Sequence, residues 1–553
     1  MDCRRQDICT DNGMQTHTSP HIYAMTLPGE DQTPRERISR RAELSARVAI
    51  TALLYAAPAV IALHGCALSV TDPDIWWHLR TGQWILEHHA FPHTDPFSSF
   101  AAGHPWQAYS WLFELLVFFL YRWLGLGGLV AYTAGMVMAI AAAVFGLIGR
   151  LQSDFTKAAL LTAAVMVAMC RLDTPRPWLF TVLLFVWEMD LLMTVRRTGR
   201  WIRLFWLPPI FALWANLHIQ FIDGLLLLAV AAIEPALARW LDQPAPRLRT
   251  SAWLAAGTAC ALATLANPYG YRIYETAYRL ASQRDVFDKV SELQAMPFRS
   301  ASDFLLLFLA LAAAGALARS RRFSIFECAL LALAAILSFR SQRDLWFMAI
   351  VAGTALAAHL PSQPRVGRSL PAYGAPLAGA AAAALVAVGT IPLHVNNTHL
   401  ETLLAQTMPV RAVEFVKKGG YGGTLYNTYN WGGFLIWSLR RPDSIDGRAA
   451  LDGDERIDRF DATWDGEPKW RFDPELAAAG LVIAPRKTPL SQLLRMDPRF
   501  QLAYEDSVAT VFVPRRKGGK RAAGVAALGD IGHAIAPVGR RQPMIFGRSP
   551  CAC

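Results

Sequence analysis

The sequence predicts a polytopic α-helical membrane protein of about eleven spans with a small C-terminal α/β domain outside the membrane. Three observations carry this. Of 553 residues, 53% are hydrophobic and only 18% charged, with 18 tryptophans, far from the balance of a water-soluble chain. Apolar segments of spanning or near-spanning length follow one another from about residue 46 to 393. Beyond 393 the pattern changes to short alternating runs separated by Gly, Asn and Asp.

Residues 1–44 are polar and lack the apolar core of a signal peptide, which predicts a disordered cytoplasmic tail. The predicted spans lie at about 46–70, 128–149, 157–171, 176–195, 203–218, 221–240, 251–266, 302–318, 324–339, 344–360 and 371–393, making 45–393 one transmembrane domain. A further apolar stretch, "WLFELLVFFLYRWLG" at 111–125, is short and contains Glu114 and Arg122, so an interfacial helix is expected. Charge distribution tests that choice. If 111–125 does not cross, "RERISRRAELSAR", "VRRTGRWIR", "RWLDQPAPRLR" and "RSRRF" all fall on one side, which the positive-inside rule makes the cytoplasm. The opposite side then holds a first outer loop at 71–127, the loop 267–301, and everything after 393.

In 394–515, "GGTLYNTYNWGGFLIWSL", "SIDGRAAL", "GLVIAP" and "VATVFVPR" read as strands, while "PVRAVEFVKK" and "TPLSQLLRM" read as helices. The Gly/Ala/Arg-rich stretch 516–553 reads as a disordered basic tail. The net charge of +11 sits in clusters between apolar runs, the pattern of membrane loops, so nucleic acid is not expected as a partner. Eight cysteines, in the tails or inside apolar runs, show no disulfide or zinc spacing.

The outward loops hold an unusual stock of polar groups. In "TDPD", Asp72 can cap a helix with Pro73 at its first position, which places Asp74 in the first turn and His78 on the same face one turn on. Capping explains one aspartate; carboxylates beside a membrane are functional candidates by default. The stripe Ile75, Leu79 and Leu86 faces membrane or protein, and Trp76, Trp77 and Trp84 suit an interfacial helix. The same loop supplies His93, Asp95, Trp106, Tyr109, Trp111 and Glu114. Other outward turns add Arg171, Arg176, His218, Arg272, Arg340 and Arg343, cations on the side where the positive-inside bias disfavours them. Arginine suits phosphate oxygens, although each arginine alone also suits snorkelling to lipid headgroups. In the C-terminal domain Asn427, Asn430, Trp431, Gly432, Gly433, Asp446 and Arg448 stand out, either as sugar contacts or as a hairpin around a buried tryptophan.

The stretches "DPDIWWHLRTGQWILEH", "HTDPFS", "PWQAYSWLFE", "YNTYNWGGFLIW" and "IDGRAAL" resemble a set of bacterial multi-span glycosyltransferase-like proteins of the GT-C class, over roughly residues 45–515. Members of the wider class often have an Asp-Glu pair where this chain has Asp72-Pro73-Asp74. The resemblance implies a GT-C-like enzyme of the bacterial inner membrane. It would transfer a sugar from a polyprenyl-phosphate donor, among membrane lipid, to an envelope glycan, lipid or protein acceptor. It implies Asp74 or Asp72 as the base, with His78 beside them, and leaves a divalent metal open. Substrate contacts are expected from Asp95, His93, Tyr109, Glu114, His218, Arg340 and Arg343, the two arginines by position and charge only. A transporter or flippase of a lipid-linked or polyanionic substrate, or a non-catalytic glycan-binding membrane protein, remain the alternatives.

Overall fold

The computed structural model describes residues 34–243, 246–282, 290–320, 324–362, 373–448 and 451–515. Two compact units divide within the first helix, at Arg47 and Val48. The described part of the first unit, 34–47, is helical, with Arg47 paired to Glu43 at 2.5 Å. The helix thus begins at Pro34, inside the stretch expected to be a disordered tail; residues 1–33 and the basic tail 516–553 lie outside the described residues.

The chain opens with α1 (Pro34–His64), α2 (Cys66–Thr71), α3 (Ile75–His88), α4 (Trp111–Leu124), α5 (Leu126–Leu151), α6 (Phe155–Met169), α7 (Trp178–Thr198), α8 (Leu207–Leu217), α9 (Phe221–Trp240) and α10 (Thr250–Ala263). Helices Ala301–Arg319, Ile325–Arg340, Leu345–His359 and Gly374–Gly389 follow. Each of the eleven apolar segments is therefore helical. Among the described residues six helices are long and apolar enough to cross a bilayer: α1, α5, α6 with its short 3-10 extension, α7, α9 and Ala301–Arg319. At 14 residues, α4 is about 21 Å long against a hydrocarbon core of roughly 30 Å.

Local signals set the helix starts. Asp154 accepts the Lys157 amide at the head of α6, and Ser300 and Asp303 form a reciprocal capping box at the head of Ala301–Arg319. The outer surface of that last helix exposes Phe304, Phe308 and Leu311, spaced as one stripe, a face suited to lipid and costly in water. Exposed Trp201, Phe205, Trp206 and Trp240 stand at helix ends among Arg200, Arg203 and Arg239, as at a membrane interface. The protein is a multi-pass membrane protein.

The C-terminal domain holds a four-stranded sheet, β1 (Leu425–Asn427), β2 (Leu481–Pro485), β3 (Phe500–Glu505) and β4 (Ala509–Pro514), in the order β1-β2-β4-β3. β1 and β2 are parallel, with Leu425 opposite Leu481; the other pairs are antiparallel. One side of the sheet buries Tyr426, Val482 and Phe512 with Phe460, Trp464, Leu490 and Leu494. The helices at Val410–Gly419 and Pro489–Met496 match expectation.

"YNWGGFLIWSL", expected as strand, is instead the helix Tyr429–Leu439. Its residues favour strands, but tertiary packing overrides that preference. The helix lies on α3, and a Cβ at Gly433 would come within 2.6 Å of the Pro73 carbonyl oxygen. Only glycine admits this approach. Likewise "SIDGRAAL" forms no strand over its described residues, because Ser444–Arg448 pass beneath the helix; a Cβ at Gly432 would meet the Ile445 carbonyl oxygen at 2.0 Å. β3 and the helix Asp454–Trp464 were not anticipated.

Trp76 and Trp77 are buried rather than interfacial, Trp76 edge-on to Phe434 at 5.2 Å. The C-terminal domain therefore forms one body with the first outer loop.

Candidate active site

The head of α3 joins both readings of "TDPD". Asp72 Oδ1 accepts the Asp74 amide at 2.9 Å and the Ile75 amide at 3.3 Å, so Asp72 does cap the turn. Its Oδ2 accepts from Arg176 Nε at 2.7 Å, and the same guanidinium pairs with Asp74 through Nη1. The N-terminus of α3 begins after Asp74, whose carboxylate makes no capping bond and is left for other use.

Arg176 is fixed from several sides. It is the sixth residue of "RLDTPRP", between Pro175 and Pro177, where the prolines restrict the backbone. Its own carbonyl accepts from Tyr132 at 3.0 Å, and its guanidinium lies over the Trp178 ring at 5.2 Å. Burial pushes the Asp74 carboxyl up; Arg176 pulls it down, while Asp72 and Glu292 push it up again. Burial and the like charges win, and the group titrates at about 7. Asp74 remains 13% exposed, open enough to meet a substrate. Gly447 of the C-terminal domain adjoins it: a Cβ there would fall 1.7 Å from Asp74 Oδ1.

Tyr109 links this pair to a second cation. Burial raises its phenol to about 12, and it feels Arg343, Glu114, Asp74 and Arg176 together. Arg343 sits in the turn Gln342–Asp344, held where its amide donates to the Glu292 carbonyl at 2.8 Å. Its Nε is buried and has no hydrogen-bond partner among the described residues. Asp74, Arg176, Tyr109, Glu292 and Arg343 thus share one electrostatic neighbourhood.

Behind it, His78 Nδ1 and Glu114 Oε1 lie 3.2 Å apart, both buried. Burial holds the imidazole well below its usual range, helped by Arg176 and His218, and drives the Glu114 carboxyl well above its own. Burial thus favours the neutral form of each partner. His218 is bonded to Thr181 at 2.8 Å, and Thr181 also accepts from the Trp214 indole at 2.9 Å.

Other expected contacts lie elsewhere. Asp95 is a structural anchor: it accepts the Phe97 and Ser98 amides at 3.0 Å each and pairs with Arg448 at 2.5 Å. Arg448 is also bound by Asp446 and lies over Trp106 at 4.8 Å. Burial raises Asp95, yet Arg448 and the local hydrogen bonds hold it below the ordinary aspartate range. His93 is exposed against Tyr269, and Arg340 is exposed on the last helical turn before the Arg343 turn. Arg171 pairs with Asp303 and donates to Gln342 at 3.0 Å, a structural tie, and Arg272 is exposed. Asn427 fastens Ser444, whose amide reaches its side-chain oxygen at 3.0 Å. Trp431 donates to the Thr407 carbonyl at 3.1 Å.

In the sequence Arg176 is an outward cation with no spacing that joins it to the aspartates, and Glu292 has nothing to distinguish it in its loop. The donor set does not suit a divalent metal in this arrangement: Arg176 faces both carboxylates, and among the described residues no three His, Cys, Asp or Glu are grouped to hold an ion.

No protein-family model and no curated protein match the chain. Solved structures do. The chain is similar to the archaeal oligosaccharyltransferase AglB from Archaeoglobus fulgidus, in complex with an inhibitory peptide and a dolichol-phosphate, with TM-score 0.52, 11% identity, and coverage of 82% of this chain and 70% of that one. The apo form of the Archaeoglobus fulgidus oligosaccharyltransferase gives TM-score 0.51 at 10% identity, over 81% and 70% of the two chains. ArnT from Cupriavidus metallidurans, bound to undecaprenyl phosphate, overlaps more loosely, with TM-score 0.43 at 13% identity, over 83% and 97%. The chain has the fold of the GT-C-type membrane glycosyltransferases.

Proposed function

We propose that the protein is an integral membrane glycosyltransferase that moves a sugar from a polyprenyl-phosphate donor to an envelope glycan, lipid or protein acceptor on the extracytoplasmic face of the bacterial inner membrane. The observation that carries the reading is Asp74, largely buried yet still reached by solvent and titrating at about 7, set beside Arg176 at the outer loop of a GT-C fold. A base is most effective when its pKa is near the working pH.

In the reaction an acceptor hydroxyl oxygen bonds to the anomeric carbon as the bond from that carbon to the phosphate oxygen breaks. The electron pair leaves with the polyprenyl phosphate, and the hydroxyl proton passes to Asp74. Arg343, whose buried Nε has no hydrogen-bond partner among the described residues, and Arg176 supply positive charge for the leaving phosphate. Tyr109, whose phenol feels both cations, is the nearby hydroxyl donor.

The basic loops support a cytoplasmic N-terminus and an outer C-terminal domain, with α4 lying in the interface. A reporter fused after Arg200 is expected to read cytoplasmic, and one fused near residue 400 extracytoplasmic.

The test is radiolabel transfer from a polyprenyl-phosphate sugar pool. Asp74→Asn keeps the shape and removes the proton acceptor, so transfer is expected to stop while folded protein remains in the membrane. Normal turnover in that variant rejects the base; substrate flux without transfer identifies a transporter.

A further inference from the structure

Three glycines bring the C-terminal domain onto the acid turn with no side chain between them. A Cβ at Gly433 would strike the Pro73 carbonyl oxygen, one at Gly432 the Ile445 carbonyl oxygen, and one at Gly447 the Asp74 carboxylate. The segment Asp443–Arg448 is therefore a layer held between the helix Tyr429–Leu439 and the head of α3. Its backbone touches the base.

The segment is fastened at both ends. The Asp443 amide donates to the Phe97 carbonyl at 3.0 Å, and the Asp443 carbonyl accepts the Ser99 amide at 2.7 Å. The Asn427 side chain holds the next two residues, accepting the Ser444 amide at 3.0 Å and donating to the Ile445 carbonyl at 2.9 Å. Beyond Gly447, Arg448 is 5% exposed and donates to Asp95, Asp446 and Ser98, with its guanidinium over the Phe97 and Trp106 rings. One side chain thus ties the neighbour of Gly447 to the first outer loop.

Asp74 has this wall on one side and Arg176 on the other. Its Oδ2 pairs with Arg176, whereas Oδ1 is the atom nearest Gly447. Asp72 and Glu292 also face it, as do the phenols of Tyr109 and Tyr429. Burial is the largest influence on the Asp74 carboxyl, and Gly447 supplies part of that burial.

We infer that the C-terminal domain tunes the catalytic base: the fastened segment holds Gly447 against Asp74 and keeps water from Oδ1, with Arg448 as the positioning residue that seats it. The role in catalysis rests on the transferase reading; the contact itself does not.

The test is the protonation of Asp74 in the full chain in lipid nanodiscs, read against pH as the carboxyl carbonyl band in infrared spectra of each protein minus its Asp74→Asn counterpart. The wild-type band is expected to titrate at about pH 7. Arg448→Lys keeps the charge and loses the fork, so Gly447 loosens, water reaches Oδ1, and the midpoint is expected to fall by about one pH unit, a tenfold change in acidity. Gly447→Ala, whose methyl cannot share the space of Oδ1, is expected to lift the segment and move the midpoint the same way. Leu494→Val loosens the same domain from the helix Pro489–Met496, which packs on β2, β3 and Asp454–Trp464, and is expected to leave the titration in place. A wild-type midpoint in the ordinary aspartate range, unmoved midpoints in the folded Arg448 and Gly447 variants, or an equal shift in Leu494→Val overturns the inference. Where a polyprenyl-phosphate sugar pool supports transfer, the rising limb of kcat/KM is expected to follow the infrared midpoint in every variant. Shifted midpoints with no transfer in the wild type reject the transferase reading alone; transfer with unmoved midpoints rejects this positioning role alone.

Discussion

Arg176 holds Asp74 and Asp72 at once, an ion pair to the first and a 2.7 Å bond from Nε to the second. One guanidinium thereby keeps two neighbouring carboxylates together in a half-buried site, where either alone with its twin would favour taking up a proton.

This pairing fixes a pH dependence. Asp74 acts as a base only when ionised, so kcat/KM is expected to rise through about pH 7 and level above it. Arg176 lowers the Asp74 pKa, so Arg176→Gln removes that pull and moves the rising limb to higher pH. A limb that stays in place in Arg176→Gln, measured as initial transfer rates across pH, separates Arg176 from the base.

The His78–Glu114 pair makes a different prediction, because the burial that raises Glu114 favours its neutral form. A protonated carboxyl and an amide are similar in shape and both can donate a hydrogen bond. Glu114→Gln is therefore expected to melt within a degree or two of wild type, whereas Glu114→Ala leaves a buried imidazole unpaired and costs about 1–3 kcal/mol. Equal loss in both variants, followed by thermal melting in detergent, shows that the charge of Glu114 matters.

The limits of the sequence follow from where partners lie along the chain. Apolar runs declare themselves locally, which is why the eleven segments are helices, and β2, β4 and the helix 489–496 were equally plain. Tyr429–Leu439 misled because its strand-favouring residues answer to a surface formed by Pro73 and Trp77, far back in the sequence. Asp95 looked like a substrate contact for the same reason. Its partner Arg448 is 353 residues away, and no spacing reveals it. The stretches "HTDPFS" and "IDGRAAL", far apart in the sequence, meet in this one ion pair.

That pair predicts a coupling. Asp95 and Arg448 are buried, and Asp95→Ala leaves Arg448 with Asp446 as its remaining carboxylate, so it is expected to cost about 1–3 kcal/mol. Arg448→Met removes the cation from Asp95 and Asp446 together and is expected to cost more, about 3–5 kcal/mol. In the double variant only Asp446 is left without its cation, where Arg448→Met alone leaves two carboxylates, so the double variant should lose less than the sum. Because the folded state depresses the Asp95 pKa, the pair's contribution is present above the unfolded aspartate range and fades as the pH falls through the folded value. Limited proteolysis of the C-terminal domain against pH reads this directly; additive losses would mean that the two residues do not act as a pair.

Arg343 and Arg340 are three residues apart, and the structure separates them. Arg340 is exposed at a helix end, where a snorkelling side chain needs only charge. Arg343 lies in the electrostatic reach of Tyr109, with a buried Nε that has no partner among the described residues. If it receives the donor phosphate, its planar fork matters as well as its charge. Arg343→Lys is then expected to raise the donor KM about tenfold, roughly 1.4 kcal/mol, and Arg343→Ala to cost about 2–4 kcal/mol. Arg340→Lys is expected to leave KM unchanged, and Arg272→Lys serves as a second exposed comparison. Donor saturation curves for the four variants decide the matter: indifference of Arg343 to lysine places it outside the phosphate site, and a matching loss at Arg340 would return that residue to it.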